Sequence, residues 1–271
     1  MRDVQANAWF NPSSNHIGGR ISAAVISLAA EQLASLLNVN PASLLWTSGA
    51  TEADNLAIMG AARQRAHRGK HLVTMRTEHK AVVDVFRALE KQGFDVTWLE
   101  PDPDGRLPIE RFAAALRDDT QLASIMQVNN ETGAMQDIAA IGEACAKRDV
   151  LFHVDGAQAA GKIPVDLAAL PVNLYSLTAH KFYGPKGVGA LYVAEGTPLD
   201  PLMFGGGQQR RLRPGTLAVD LIAGLGEAAA VAAVSIKDDL KNLIALKSQL
   251  LAGIEAIEGL TVNGPGQGGY P

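Results

Sequence analysis

The chain has one cysteine among 271 residues, Cys145, so no internal disulfide framework can form. A reducing, cytoplasmic setting is the expectation that follows. Excess basic charge is also missing: the formal net charge is -4, which gives no reason to expect nucleic acid or an anionic membrane as partner. No apolar run is expected to reach bilayer-spanning length, and the first residues lack the basic-then-apolar order of a signal peptide. Internal repeats, low-complexity segments and long linkers are absent too, and no metal site is expected. What remains is 47% hydrophobic and 19% charged, enough for one large domain with a substantial core.

From residue 44 onward, short apolar β-rich runs alternate with helical patterns. The runs are LLWT (44–47), HLVTM (71–75), DVTWLE (95–100), LASIMQV (122–128), VLFHV (150–154), NLYSLT (173–178) and GALYV (189–193). Helical spacing falls at about 51–67, 80–92, 108–117, 137–148 and 217–257. The expected fold is α/β: a mostly parallel seven-stranded sheet between helices. The last two runs are too close for a crossover helix, which leaves room for one antiparallel strand there. The first dozen residues show no clear period, and the tail GLTVNGPGQGGYP begins like a strand at LTV before a Gly/Pro-rich turn.

In open α/β sheets ligands sit beyond the carboxyl ends of the strands. After LLWT, the turn SGAT opens a helix whose free N–H groups and Thr51 hydroxyl suit an anion, though taken alone Thr51 reads more readily as a helix cap. After HLVTM comes His79, a capping residue or a ring that stacks on a ligand. After LASIMQV come Asn129 and Asn130, which suit an ordinary turn. After VLFHV comes Asp155, an N-cap or a buried carboxylate in need of a cationic partner. After NLYSLT comes Lys181, at a strand end where an ammonium is costly to desolvate. Gathered at one sheet edge, these residues meet the needs of pyridoxal phosphate. Its phosphate requires a helix start, its ring nitrogen a carboxylate, and its aldehyde a lysine.

The blocks TSGATEADNLAI, TEHKAVVD, QVNNETG, HVDGAQAAGKIPVD, SLTAHKFYGPKGVGALYV and GGGQQRRLRPGT occur in this order. Together they resemble cysteine desulfurases, fold-type I pyridoxal phosphate enzymes of the class V group, over residues 11–265. The resemblance implies that Ala50 and Thr51 hold the phosphate with His180 and the Thr178 hydroxyl. It implies that His79 stacks on the ring, that Asp155 pairs with the ring nitrogen, and that Lys181 holds the aldehyde. Asn130 and Gln158 are then near the ring oxygen and the substrate. Thr216 reaches the phosphate of a partner subunit in a homodimer. The implied reaction converts L-cysteine to L-alanine and leaves an enzyme-bound persulfide for a sulfur-acceptor or iron–sulfur scaffold protein. A selenocysteine lyase, an aminotransferase and a non-catalytic scaffold are the alternatives.

Two departures from that pattern stand out. Nothing like the family's LDNAATT segment precedes Asn11, and the reactive cysteine and substrate-binding arginine belong beyond the point where the chain stops. Cys145 lies in IGEACAKR with Ile138 and Ile141 at helical spacing, so buried packing is expected. The expected organisation is an N-terminal remnant (1–13), a cofactor-binding large domain (14–257) and the start of a largely missing small domain (258–271).

Overall fold

A computed structural model describes residues 1–255, 257–266 and 268–271. The strands are β1 (Leu44–Thr47), β2 (His71–Met75), β3 (Asp95–Leu99), β4 (Thr120–Ser124), β5 (Leu151–Asp155), β6 (Leu174–Thr178) and β7 (Gly189–Val193). They form one sheet in the order β1-β7-β6-β5-β4-β2-β3. Pairings among β2, β3, β4, β5 and β6 are parallel, and β7 runs antiparallel to both its neighbours. β7 is therefore the reversed strand expected at the close pair. Six strands point the same way, so their carboxyl ends share one edge, where Gly189 of β7 pairs with both Thr47 and Thr178.

Alternation along the strands divides the core between the two faces. Leu122, Leu151, Leu174 and Leu191 pack on one side with Ala57, Ile58, Phe86 and Leu89. These come from α3 (Ala50–Gln64) and α4 (Lys80–Lys91). In α4, Val82, Val85, Phe86 and Leu89 recur at helical spacing and are all buried. Ala123, Phe152, Tyr175 and Ala190 face the other side. There they meet α2 (Ile17–Leu37), α5 (Ile109–Ala115), α6 (Ile138–Lys147) and α7 (Val219–Glu255). Toward the carboxyl edge the α3-facing positions turn polar: Ser124, His153, Asp155 and Ser176 follow the leucines on alternate residues.

Several expectations are corrected. The run 122–128 does not continue as a strand: β4 ends at Ser124, and beyond it the chain makes an isolated bridge from Val128 to Met135. The LTV tail, residues 260–262, has no regular structure. The aperiodic first dozen residues contain a short helix, α1 (Arg2–Asn7), and Ala8 behind it is buried, its carbonyl accepting from Ser22 Oγ at 2.9 Å. Two helices, Ile17–Leu37 and Val219–Ile254, do reach bilayer-spanning length and apolarity. Each packs part of its length on the sheet: Leu33 and Leu37 of α2 lie in the same cluster as Ile222, Leu225 and Ala229 of α7.

Candidate active site

Nine of the ten expected residues line a single cavity of about 490 Å³: Ala50, Thr51, His79, Asn130, Asp155, Gln158, Thr178, His180 and Lys181. The tenth, Thr216, lies on an exposed loop facing another depression, beside Trp9 and Phe10. Glu52, Met126 and Lys186 also line the cavity, and none of the three is singled out by the sequence. A glutamate three residues after the Gly49 N-cap is the one signal available for Glu52, as in a capping box.

The anion-binding corner is built on the β1–α3 turn. Gly49, the N-cap of α3, has φ 153° and ψ 178°, a conformation open to glycine and costly for other residues. It supplies no side-chain cap, so the first amides of α3 and the positive end of its dipole are available to a ligand. Across the corner, Thr178 is buried, and its Oγ1 lies 3.0 Å from His180 Nδ1 and donates to Val188 O at 3.2 Å. Burial, together with the charges of Lys181 and Lys186, holds His180 below the usual histidine range. Neighbouring cations on one rim raise the local affinity for an anion.

Asp155 ends β5 almost fully buried, and its Oδ1 accepts from the Ala157 amide at 2.9 Å. The chain around it is locked. The Asp155 carbonyl accepts from Gln127 N at 2.9 Å, and Gln127 Oε1 accepts from the Tyr175 hydroxyl at 2.7 Å. Glycine is required at 156, because a Cβ there would lie 2.0 Å from the Tyr175 ring. Burial and the nearby Asp54 carboxyl push Asp155 up to about 7.

Two further acids lie beneath the cavity, and no sequence signal marks them. Asp54, on the sheet-facing side of α3, is wholly buried, with His153 Nε2 3.5 Å from its Oδ1. Glu78 is buried before α4 and accepts from Met126 N at 2.8 Å. Burial drives Asp54 to about 7 and Glu78 well above its ordinary value, with the charges of Asp155 and Asp54 adding to the latter. Burial pushes His153 down to about 4, so the ring between Ser124 and Ser176 is neutral at pH 7. Among the described residues Glu78 Oε2 has no hydrogen-bond partner, and the floor concentrates acid without a matching cation.

His79 is the N-cap of α4, as one reading of the sequence has it, and it also faces the cavity. Its Nδ1 accepts from Ala81 N at 3.1 Å, which assigns the proton of the neutral ring to Nε2. Asn130 is exposed and bonded to Glu131, whereas Asn129 is buried and organises the turn through the amides of Glu131 and Thr132. Gln158 Oε1 accepts from Lys162 at 2.5 Å. Lys181 follows β6 on a short 3-10 turn, Ala179–Phe182, closed by Tyr183 at φ 67°.

These residues fit pyridoxal phosphate. The uncapped helix start and His180 suit a phosphate, Lys181 offers an amine, and a protonated ring nitrogen supplies the cation that Asp155 and the acids behind it lack.

Cys145 lies outside this site. It is 1% exposed on α6, and burial pushes its thiol up to about 12. The native protein is therefore expected to resist a thiol-reactive dye until it is unfolded. Cys145→Ala should cost on the order of 1 kcal/mol by denaturant titration and leave cofactor binding unchanged. Rapid labelling of the native thiol would contradict that placement.

A chain named cysteine desulfurase IscS from Vibrio vulnificus (strain YJ016) is 49% identical over 257 residues, covering 94% of this chain and 64% of that one. The chain thus spans a little under two thirds of that relative's length. Among solved structures, a NifS-like protein superposes with a TM-score of 0.94 at 34% identity, covering 98% of this chain and 73% of the other. SspA in complex with cysteine superposes with a TM-score of 0.82 at 41% identity, covering 84% and 67%. The aminotransferase class-V family model matches residues 5–268. With that match spanning the sheet, both of its faces and every cavity-lining residue above, the chain belongs to the pyridoxal phosphate-dependent aminotransferase class-V family.

Proposed function

We propose that this chain carries the cofactor site of a cysteine desulfurase acting on L-cysteine. The observation that carries the reading is the convergence of Lys181, Asp155 and the open α3 start on one cavity. The likeness to IscS and to SspA, solved in complex with cysteine, supports the choice of substrate. When bound, pyridoxal phosphate supplies an aldehyde for the substrate amine and a ring that withdraws electrons from the substrate Cα. Thr51, Thr178 and His180 would hold its phosphate, and Asp155 would keep its ring nitrogen protonated. Lys181 would hold the aldehyde, and its Nζ would serve as the base for the substrate Cα proton. His79, which lines the same cavity, would move a proton there.

A complete desulfurase also needs a thiolate that attacks the substrate sulfur, forming the persulfide S–S bond as the substrate Cβ–S bond breaks, the pair left on Cβ being protonated to give alanine; buried Cys145 does not supply that thiolate. The reading extends to a cytoplasmic homodimer that passes sulfur to an acceptor or iron–sulfur scaffold protein. Exposed Tyr183 and Phe204, at 99% and 87%, and the exposed Thr216 loop offer surface for a second copy.

The test mixes the cofactor-loaded protein separately with L-cysteine, L-selenocysteine, and an amino donor plus a 2-oxo acid. L-cysteine is expected to shift the absorption of the bound cofactor, while sulfide release stays at the free-cofactor background. Efficient amino-group exchange with the 2-oxo acid would indicate an aminotransferase. Cleavage confined to selenocysteine would indicate a lyase, and absence of any bound-cofactor absorption would indicate a scaffold.

A further inference from the structure

Glu52 poses an electrostatic problem for the site just described. It lies on the first turn of α3 and lines the cavity beside Thr51. An unpaired carboxylate there would repel a phosphate and cancel the helix dipole. The structure answers with Arg213, whose Nε donates to Glu52 Oε1 at 2.7 Å and whose Nη2 donates to Oε2 at 3.2 Å. The Ser48 amide adds a third bond to Oε2 at 2.6 Å. Only 20% of the Arg213 side chain and 19% of that of Glu52 are exposed, so the pair is weakly screened by solvent. Burial alone would raise Glu52, but the bonds from Arg213 and Ser48 outweigh it and hold the carboxyl below its ordinary range.

Arg213 is itself held in place at a cost. Gln209, Arg210 and Arg211 have φ of 48°, 60° and 64°, three consecutive non-glycine residues in the left-handed region. Gln209 holds this segment against the sheet. Its Oε1 accepts from Trp46 N at 2.6 Å and its Nε2 donates to Trp46 O at 2.9 Å, like one more rung on the free edge of β1. The same Nε2 also reaches Arg213 O at 3.2 Å. The loop is thus pinned to β1 and to α3, on either side of the anion-binding turn.

We propose that Arg213 is a positioning residue for phosphate binding: its two-point pair with Glu52, set by the Gln209 clamp, neutralises a carboxylate on the lip of the anion corner. The proposal rests on the cofactor reading above. Its test compares dissociation constants for pyridoxal phosphate and for pyridoxal, which lacks the phosphate, in the full chain. Arg213→Gln is expected to weaken pyridoxal phosphate roughly ten- to a hundredfold while leaving pyridoxal within about twofold, the size expected when no charge is opposed. Removing the opposing charge in Arg213→Gln/Glu52→Gln should restore phosphate preference, and Arg213→Lys should fall between. Equal weakening of both ligands, or no rescue in the double variant, overturns the role of Arg213 and leaves the cofactor reading standing. Wild-type protein that binds pyridoxal phosphate no better than pyridoxal overturns both. Glu52→Gln alone, which keeps the loop's other anchor, should bind pyridoxal phosphate at least as well as wild type; weaker binding would count against the proposal.

Discussion

Lys181→Ala protein, incubated with pyridoxal phosphate and reduced with borohydride, is expected to carry no pyridoxyl label, whereas the wild-type protein should be labelled on the peptide containing Lys181. Three amines compete for the aldehyde. Lys186 is exposed on the following turn. Lys162 lies close enough for burial and the charge of Lys181 to lower its pKa, but it is already committed. Its Nζ donates to Gln158 at 2.5 Å and lies 5.6 Å from the Tyr270 ring centroid. Lys181 lines the cavity directly beyond the carboxyl end of β6, on the short turn that follows that strand, whereas Lys186 lies farther along on an exposed turn. Its replacement should not unfold the turn, which is closed through the backbone by Gly184 N to Ala179 O at 2.9 Å and Ala179 N to Val188 O at 3.2 Å. Circular dichroism should therefore be unchanged while the label disappears. Lys162→Ala and Lys186→Ala should keep it. A label retained in Lys181→Ala, or mapped to either neighbour in wild type, would remove Lys181 from its assigned role.

The second large effect concerns the buried acids. Asp54 and Asp155 have folded-state values near 7, and Glu78 lies well above its ordinary value, all because burial disfavours the charged form. Between about pH 4 and 7 the folded protein keeps protons that the unfolded chain has lost, so stability falls as pH rises through that window. His153, lowered to about 4, acts in the opposite direction, since the unfolded chain binds its proton below about 6.5. One histidine offsets one carboxyl and the acids prevail. Cofactor-free protein is thus expected to lose stability from pH 5.5 to pH 8. Asp54→Asn removes one share, about 3 units at roughly 1.4 kcal/mol each, less about 1–3 kcal/mol for a buried amide without a full set of partners. The net expectation is a gain on the order of 1–3 kcal/mol at pH 8, fading toward pH 5. Urea titrations across that range would show it, and a variant no more stable than wild type at pH 8 would mean that the Asp54 charge is compensated. Saturation with pyridoxal phosphate should flatten the wild-type slope, because its ring cation offsets the same charges.

How much of this was legible beforehand depended on how local each signal was. Strand and helix identities follow from side-chain period, a property of neighbours a few residues apart, and all seven strand runs and five helical patterns of the alternating region correspond to observed elements. The strand-end positions of the proposed cofactor residues were legible for the same reason: Thr51, His79, Asp155 and Lys181 each lie within four residues of the end of an apolar run. The strand that fails, residues 125–128, is as apolar as its predecessor and buried as irregular chain; burial rather than extension set its composition.

From residue 44 onward the sequence by itself determined which segments form strands and helices, 125–128 excepted, and which reactive side chains stand near the strand ends; it did not mark α1 or α2. Only the tertiary structure decided that β7 enters between β1 and β6, bringing Gly49 and Thr178 to the same corner. It alone set Asp54, Glu78 and Asp155 beside one another beneath the cavity, and Arg213 on Glu52 across 161 residues. These pairings depend on strand order and on desolvation, which are set when distant segments pack. A period read along the chain records which face of an element is apolar and carries no information about which other element will cover it.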